Sequence, residues 1–238
     1  MPRLEPDLAL RLTADYPEVV AYLDAHSGLP GPRANLELLA AAGDLLPAAH
    51  AARLRAEPDE YRRCCGVVAL GSEYFTRDPA EVAAELAAFA GDDSWRVREA
   101  VAIAAQRIGD RDFTALAGLV AGWLASPAPL VLRAAVAAIC EPHLIRHPEG
   151  AAAALATCAA ATRALLALPA PARREPAART LRQALGYCWS VAVAADPPAG
   201  LPVFTALEPT DPDLAWIVRS NLGKARLRRL VVAPPAPV

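Results

Sequence analysis

Apolar residues recur at three- and four-residue steps between Asp92 and Gly109. They are Val97, Ala100, Val101, Ala104 and Ile108. This spacing places them along one face of an α-helix. Asp92 to Ser94 supply side-chain oxygens that can cap the start of such a helix, and Gly109 predicts its end as a C′ residue. The pattern therefore predicts an amphipathic helix that buries one face against its neighbours.

The same pattern recurs along the chain, with an arginine near the start of each copy. These arginines are Arg63, Arg98, Arg133, Arg182 and Arg219, at successive spacings of 35, 35, 49 and 37 residues. A near-constant period in this range is typical of an α-solenoid, in which each helix pair buries its apolar face by stacking on its neighbours. The longer interval leaves room for an extended helix or a long loop within 155–176.

The pattern predicts an all-α protein, a right-handed α-solenoid of about five or six helix pairs. We expect capping helices at 1–57, a repeat array at 58–230 that is continuous with the cap in one structural domain, and a flexible proline-rich tail at 231–238. A single last helix is predicted from Asp211 to Leu230.

A short motif in the central helix resembles the second helix of a HEAT repeat. It consists of Asp92, Trp95, Val97, Arg98 and Ala100, and its first four positions are repeated by Asp213, Trp216, Val218 and Arg219. The resemblance covers roughly residues 59–230. It implies a HEAT-repeat, armadillo-type solenoid that presents a concave helical face to a protein or peptide partner.

The run from Trp95 to Arg98 is also similar to the adjacent Trp and Arg of HEAT-like alkylpurine DNA glycosylases. That resemblance implies DNA binding or DNA-base repair, in which a carboxylate beside aromatic residues stabilises the cationic sugar. The preceding copy offers Tyr61, and Glu73 followed by Tyr74, but no pairing of Trp with Asp. The sequence therefore favours a non-catalytic interaction module over an enzyme, with DNA binding or base repair as the alternative.

The recurring arginines and two tryptophans are the predicted binding residues: Arg63, Trp95, Arg98, Arg133, Arg182, Trp216 and Arg219. The arginines can form a structural ladder with acids in the inter-helix turns, such as Asp59, Asp93 and Asp213. Alternatively, they form an exposed row offered to phosphates or carboxylates. The cationic run Lys224–Arg229 has the same two interpretations, a solvated helix end or a phosphate-contacting patch.

No metal, cofactor or catalytic residue is expected. His143 and His147 are four residues apart and could share a helical face, but Leu144 stands where a His-Glu-x-x-His motif has glutamate, and no third ligand is evident. The sequence contains no glycine-rich phosphate loop and no Gly-x-Ser-x-Gly motif.

The composition of the chain bears on its partners and its cellular compartment. The chain has 238 residues, of which 55% are hydrophobic, and a formal net charge of −2, so its overall charge does not attract nucleic acid or an anionic membrane. The uncharged run 113–132 is interrupted by Ser126–Pro129, which argues against a membrane span. Five cysteines without Cys-x-x-Cys spacing indicate buried thiols in a reducing compartment, and we expect a cytoplasmic protein.

Overall fold

The computed structural model describes residues 6–31 and 33–232, and every regular element within these ranges is a helix. The helices are α1 (Pro6–Thr13), α2 (Tyr16–His26), α3 (Leu36–Leu45), α4 (Ala48–Arg55), α5 (Glu60–Glu73), α6 (Pro79–Phe89), α7 (Trp95–Arg111), α8 (Phe113–Leu124), α9 (Pro129–Ile139), α10 (Pro148–Ala167), α11 (Ala170–Arg173), α12 (Pro176–Ala195), α13 (Pro197–Thr205), α14 (Pro212–Leu222) and α15 (Ala225–Val232). The prediction of an all-α fold built from helix pairs is confirmed.

Several of these helices are directly preceded by an aspartate that caps their first turn. Asp59 accepts a hydrogen bond from the Arg62 amide at 2.9 Å, and Asp78 accepts one from the Ala80 amide at 2.9 Å. Such caps satisfy amide groups that have no partner inside the helix. Pro79 follows Asp78 directly, where its fixed backbone angle suits the first turn.

The chain divides into two compact units, residues 1–108 and 109–238. In the first unit, α5 is the central helix and packs against α2, α3, α4 and α6. Gly66 lies where α5 meets α4, and a β-carbon there would come within 2.7 Å of the Ala51 carbonyl oxygen. Gly71 permits an equally close approach to Ala104 of α7. Glycines therefore set the spacing of α5 from the helices on two of its sides.

A network of charged side chains, in which Arg55 and Glu73 are buried, joins α4, α5 and α6. Both Arg55 guanidinium Nη atoms donate to the Glu73 carboxylate, at 2.9 and 3.1 Å, and its Nε lies 2.7 Å from Glu85. Arg77 donates to Glu73 at 2.6 Å and to Glu85 at 3.0 Å. Two arginines and two glutamates balance each other, which offsets the cost of burying charge.

In the second unit, α12 is the central helix and packs against α9, α10, α13, α14 and α15. Trp189 is fully buried and donates its indole N–H to Thr162 at 3.1 Å. Asn221 of α14 is also fully buried. Its amide donates to the carbonyls of Leu185 and Ile217, and its oxygen accepts from the Ser190 amide. This asparagine joins α14 to α12 through backbone groups, so the register between the two helices is fixed.

Two predicted helix boundaries are wrong. Gly109 lies inside α7, where a β-carbon would meet the Leu116 side chain at 2.6 Å, so this glycine serves packing and not termination. The predicted helix 211–230 is broken at Gly223, which ends α14. The next helix, α15, continues to Val232, two residues into the predicted tail, and residues 233–238 lie outside the described ranges.

One helix in the described ranges, Pro148–Ala167, is long and apolar enough to cross a membrane by length and composition. Half of it is buried, and it packs against α8, α9 and α12. These contacts are those of a core helix. The uncharged run considered in the sequence is divided between α8 and α9 by a turn at 125–128.

Candidate functional site

In the first unit, two of the predicted arginines hold the turn that precedes α7. The Arg63 guanidinium lies 3.3 Å from the Asp92 carboxylate. Arg98 donates to the backbone carbonyls of Asp92 and Asp93, at 2.5 and 2.9 Å. Both side chains are half-buried. Their guanidinium groups fasten α5 and α7 to the same turn.

The second unit repeats this arrangement around α14. The Arg182 guanidinium lies 2.6 Å from the Asp213 carboxylate and 4.9 Å from the centre of the Trp216 ring. Trp216 is half-buried, and its ring is packed so closely on Gly186 that a β-carbon there would lie 2.6 Å from it. Arg173, which was not predicted, lies 2.5 Å from Asp211 and lowers the pKa of that carboxyl.

The remaining two predicted arginines differ from each other. Arg133 is half-buried on α9 and interacts with other groups of the protein. Arg219 is exposed on α14, and it is the one member of the five that is exposed. Arg63 and Arg182 pair with carboxylates, as the ladder interpretation requires, whereas Arg98 donates to backbone carbonyls. All three guanidinium groups are thus engaged by the protein.

Trp95 differs from the other tryptophans because it is 57% exposed. It is the first residue of α7, and the Arg96 guanidinium lies 4.7 Å from the centre of its ring. Glu60 of α5 accepts a hydrogen bond from Arg96 at 2.7 Å and another from the Ser94 hydroxyl, which caps α7. The indole is thus presented to solvent from a well-anchored helix end.

A groove of about 550 Å³ lies in the first unit beside Arg96, between the start of α5 and the loop that follows α2. Its walls include Asp24, Leu29, Pro30, Asp59 and Glu60. Arg96 lines the groove and also contacts the Trp95 ring, so the exposed indole lies next to a residue of the groove wall. We call the groove and this neighbouring indole the Trp95 groove.

Local backbone contacts fix the loop that forms one wall of the Trp95 groove. The Asn35 amide donates to the Ser27 carbonyl at 2.8 Å, and the Ser27 hydroxyl accepts from the Leu29 amide at 3.1 Å. Gly28 has φ of +74°, and a β-carbon there would lie 2.7 Å from the Arg33 carbonyl oxygen. Only glycine fits this position without strain. The wall is therefore preformed.

The charged groups of the Trp95 groove leave it negative. Arg62 is held by Asp24 at 2.5 Å and by Glu57 at 3.4 Å. The hydrogen bonds that Arg62 donates to Asp24 raise the pKa of Arg62, so this guanidinium stays charged and paired. Asp59 is exposed and uses one oxygen to cap α5. Since Arg62 and Arg96 are both neutralised by carboxylates, the groove offers its remaining negative charge to a ligand.

Charge is also segregated between the two units. The first has 17 aspartates and glutamates against 11 lysines and arginines, an excess of six acids. The second has nine acids against 13 lysines and arginines, an excess of four cations. The formal net charge of −2 conceals this division. Counting the charged residues in each half of the sequence would have revealed this division. The groove could not be predicted in this way, because the residues of its walls are too far apart in the sequence to form a recognisable spacing.

The residues considered for catalysis or metal binding have structural roles. Tyr61 is 2% exposed and donates to the Asn35 carbonyl at 2.7 Å, and burial raises its pKa. Glu73 belongs to the buried ion network. His143 contacts Asp110 at 2.6 Å, while His147 caps α10 by accepting from the Gly150 amide. No metal-binding group of three or more His, Cys, Asp or Glu residues occurs in the described part of the chain.

Part of the chain matches a known protein family. Residues 48–140, which run from α4 through α9, match the family of HEAT repeats, and the resemblance predicted from Asp92, Trp95 and Arg98 is thereby confirmed. Among solved structures, the chain is similar to a designed armadillo repeat protein in complex with the peptide (KR)4. The identity is 15% and the TM-score 0.41, with 91% of this chain and 97% of that chain covered. Among curated proteins, none matches the chain.

Proposed function

We propose that this protein is a non-catalytic HEAT-repeat module that binds a protein or peptide partner, and that the Trp95 groove receives a basic segment of that partner. The observation that carries the proposal is the 57% exposure of Trp95 beside Arg96, a residue that lines a preformed groove. Tryptophan is enriched among the residues that dominate binding energy at protein interfaces.

The charge of the first unit specifies the kind of segment. A lysine or arginine of the partner would enter a groove whose cations are already paired, where it would meet the exposed carboxylate of Asp59. An adjacent apolar side chain of the partner would cover the Trp95 ring, and Leu29 and Pro30 supply further apolar wall. The predicted binding residues lie on the helices that carry the repeated arginines, and Glu60 and Trp95 begin two of these helices.

A protein partner is better supported than the nucleic-acid alternative at the predicted sites. Three guanidinium groups that would have to contact phosphates are instead bonded to carboxylates or backbone carbonyls of the protein. To contact phosphates, these guanidinium groups would have to break the charge-assisted hydrogen bonds that they now make within the protein. We expect the module to act in the cytoplasm, where a reducing environment keeps its five buried thiols free.

The test uses a fluorescein-labelled octapeptide that alternates arginine with leucine, titrated with the full chain by fluorescence anisotropy. We expect Trp95→Ala to weaken binding at least about tenfold, as truncation of an anchoring tryptophan does. Asp59→Asn keeps the helix cap but removes the charge, so it should cost about two- to fivefold and the loss should shrink at high salt. The Leu10→Ala variant, at a position 69% exposed on α1, is the matched control and should bind as wild type. Absent binding, or equal affinity for Trp95→Ala and wild type, would overturn the proposal.

A further inference from the structure

A cluster of cations occupies the end of the second unit. It consists of Arg219 on α14, Lys224 between the helices, and Arg226, Arg228 and Arg229 on α15. The sequence contains no aspartate or glutamate after Asp213, so no acidic residue interrupts this cluster along the chain. We call it the α15 basic surface.

Packing on α12 holds the α15 basic surface in place. Leu227 is fully buried, and α15 packs against both α12 and α14. Lys224 and Arg226 lie over the ring of Tyr187, at 5.4 and 5.0 Å from its centre, and Arg226 also donates to the Tyr187 hydroxyl at 2.7 Å. Because Tyr187 belongs to α12, these contacts help to hold α15 on α12.

The acids closest in sequence to this surface are already engaged. Asp211 is paired with Arg173, and Asp213 is paired with Arg182. Within residues 6–31 and 33–232, none of the five cations of the α15 basic surface has a carboxylate within ion-pair distance. The surface therefore holds positive charge that the described part of the protein does not neutralise.

Apolar groups are interleaved with these cations. Tyr187 is 44% exposed, Leu222 37% and Val231 46%. A helix of eight residues, as α15 is, spans only about 12 Å. That length suits a short peptide, whereas Arg182, a guanidinium of the same unit that could extend a contact along a duplex, is paired with Asp213. The mixture of cations and exposed apolar side chains thus fits an acidic protein segment better than a phosphate backbone.

We infer that the α15 basic surface is a second docking site, which binds an acidic protein segment carrying apolar residues. Carboxylates of the segment pair with Arg228, Arg229 and Arg219, and its apolar side chains cover Leu222 and Val231. This site differs in charge from the Trp95 groove and lies in the other unit. A protein with both would join a basic partner to an acidic one, and either site can fail its test while the other passes.

The test measures anisotropy of a fluorescein-labelled octapeptide that alternates glutamate with leucine, using the full chain at two salt concentrations. Arg228→Gln/Arg229→Gln removes two exposed charges and should weaken binding about tenfold, with a smaller loss at high salt. Arg146→Gln/Arg163→Gln removes two exposed charges elsewhere in the same unit and should leave binding unchanged. Circular dichroism of each variant confirms that it folds.

Three results would overturn the inference. The first is no binding of the acidic peptide, and the second is an equal loss in the control pair, which would indicate only general attraction to a basic unit. The third uses a labelled DNA duplex of about 12 base pairs in place of the peptide. Tighter binding of this duplex through Arg228 and Arg229, with a steep salt dependence, would assign the surface to nucleic acid instead.

Discussion

Replacing Glu73 by glutamine tests whether the buried ion network holds α4, α5 and α6 together. The Glu73 side chain is 7% exposed and accepts three hydrogen bonds, two from Arg55 and one from Arg77. Glutamine keeps the volume of glutamate but removes its negative charge, and its amide group would face a guanidinium. Arg55, which is equally buried, would be left with Glu85 as its one carboxylate partner.

The structure sets the expected size of this effect. Breaking a buried ion pair by removing one partner costs about 3–5 kcal/mol. Arg55 would keep its contact with Glu85 and its hydrogen bond to the Gly66 carbonyl. We therefore expect the lower end of the range, a loss of about 3 kcal/mol in the free energy of unfolding.

Urea denaturation followed by far-ultraviolet circular dichroism measures this loss. Glu81→Gln removes one exposed charge from α6 and serves as the control, with an expected change within about 0.5 kcal/mol. The double variant Arg55→Met/Glu73→Leu should lose less than the sum of the two single changes, because no charge is left unpaired. A loss below about 1 kcal/mol for Glu73→Gln would refute the assignment of the network as a main stabilising element.

Four further predictions follow from single contacts. Gly66→Ala forces a β-carbon against the Ala51 carbonyl and should lower the unfolding free energy by about 1–3 kcal/mol, so an unchanged urea midpoint would contradict the close helix approach. Asn221→Leu removes the two buried hydrogen bonds that join α14 to the backbone of α12 and should cost about 1–3 kcal/mol in the same assay; a neutral effect would argue against the buried hydrogen bonds. Burial raises the pKa of Cys64 to about 12 and also raises the pKa of Cys65 and of Cys158, while the pKa of Cys140 is raised mainly by its hydrogen bond with Cys158. All five thiols are buried, so they should resist Ellman's reagent at about pH 8 until the chain is unfolded, and rapid labelling of the folded protein would be evidence against their burial. Burial lowers the pKa of His143, but hydrogen bonds to two neighbouring carboxylates outweigh burial, so the net shift of this pKa is upward. The stabilisation that results should be complete below about pH 6.5 and be lost as pH rises through the pKa of the folded state. His143→Gln should therefore remove this pH dependence from the free energy of unfolding.

The repeated helices were predictable because their signals are local. The apolar spacing from Val97 to Ile108 and the aspartate caps each lie within a few residues of the helix that they define. Gly109 shows the limit of such signals. A glycine can end a helix or allow a close contact inside it, and the choice depends on Leu116, which the pattern around Gly109 does not reveal.

The candidate surfaces were only partly predictable. Trp95 was identified from the repeat motif, and its exposure distinguishes it from Trp216, which occupies the same motif position but packs against Gly186. The Trp95 groove also needs the loop after α2, which is contributed by a segment some 60–70 residues earlier in the chain. Contacts over that separation depend on the packing of α2 against α5, so no periodic pattern in the sequence could have indicated them.

The fluorescence of Trp95 itself reports whether this side chain contacts a basic peptide. Trp95 is 57% exposed, whereas Trp123 and Trp189 are buried, so a ligand that covers it should shift the tryptophan emission to shorter wavelength. We predict a saturable blue shift when the unlabelled arginine–leucine octapeptide is added to the wild-type chain, and none with Trp95→Phe. An emission spectrum that does not change at peptide concentrations giving saturated binding, or an identical shift in Trp95→Phe, would contradict the account.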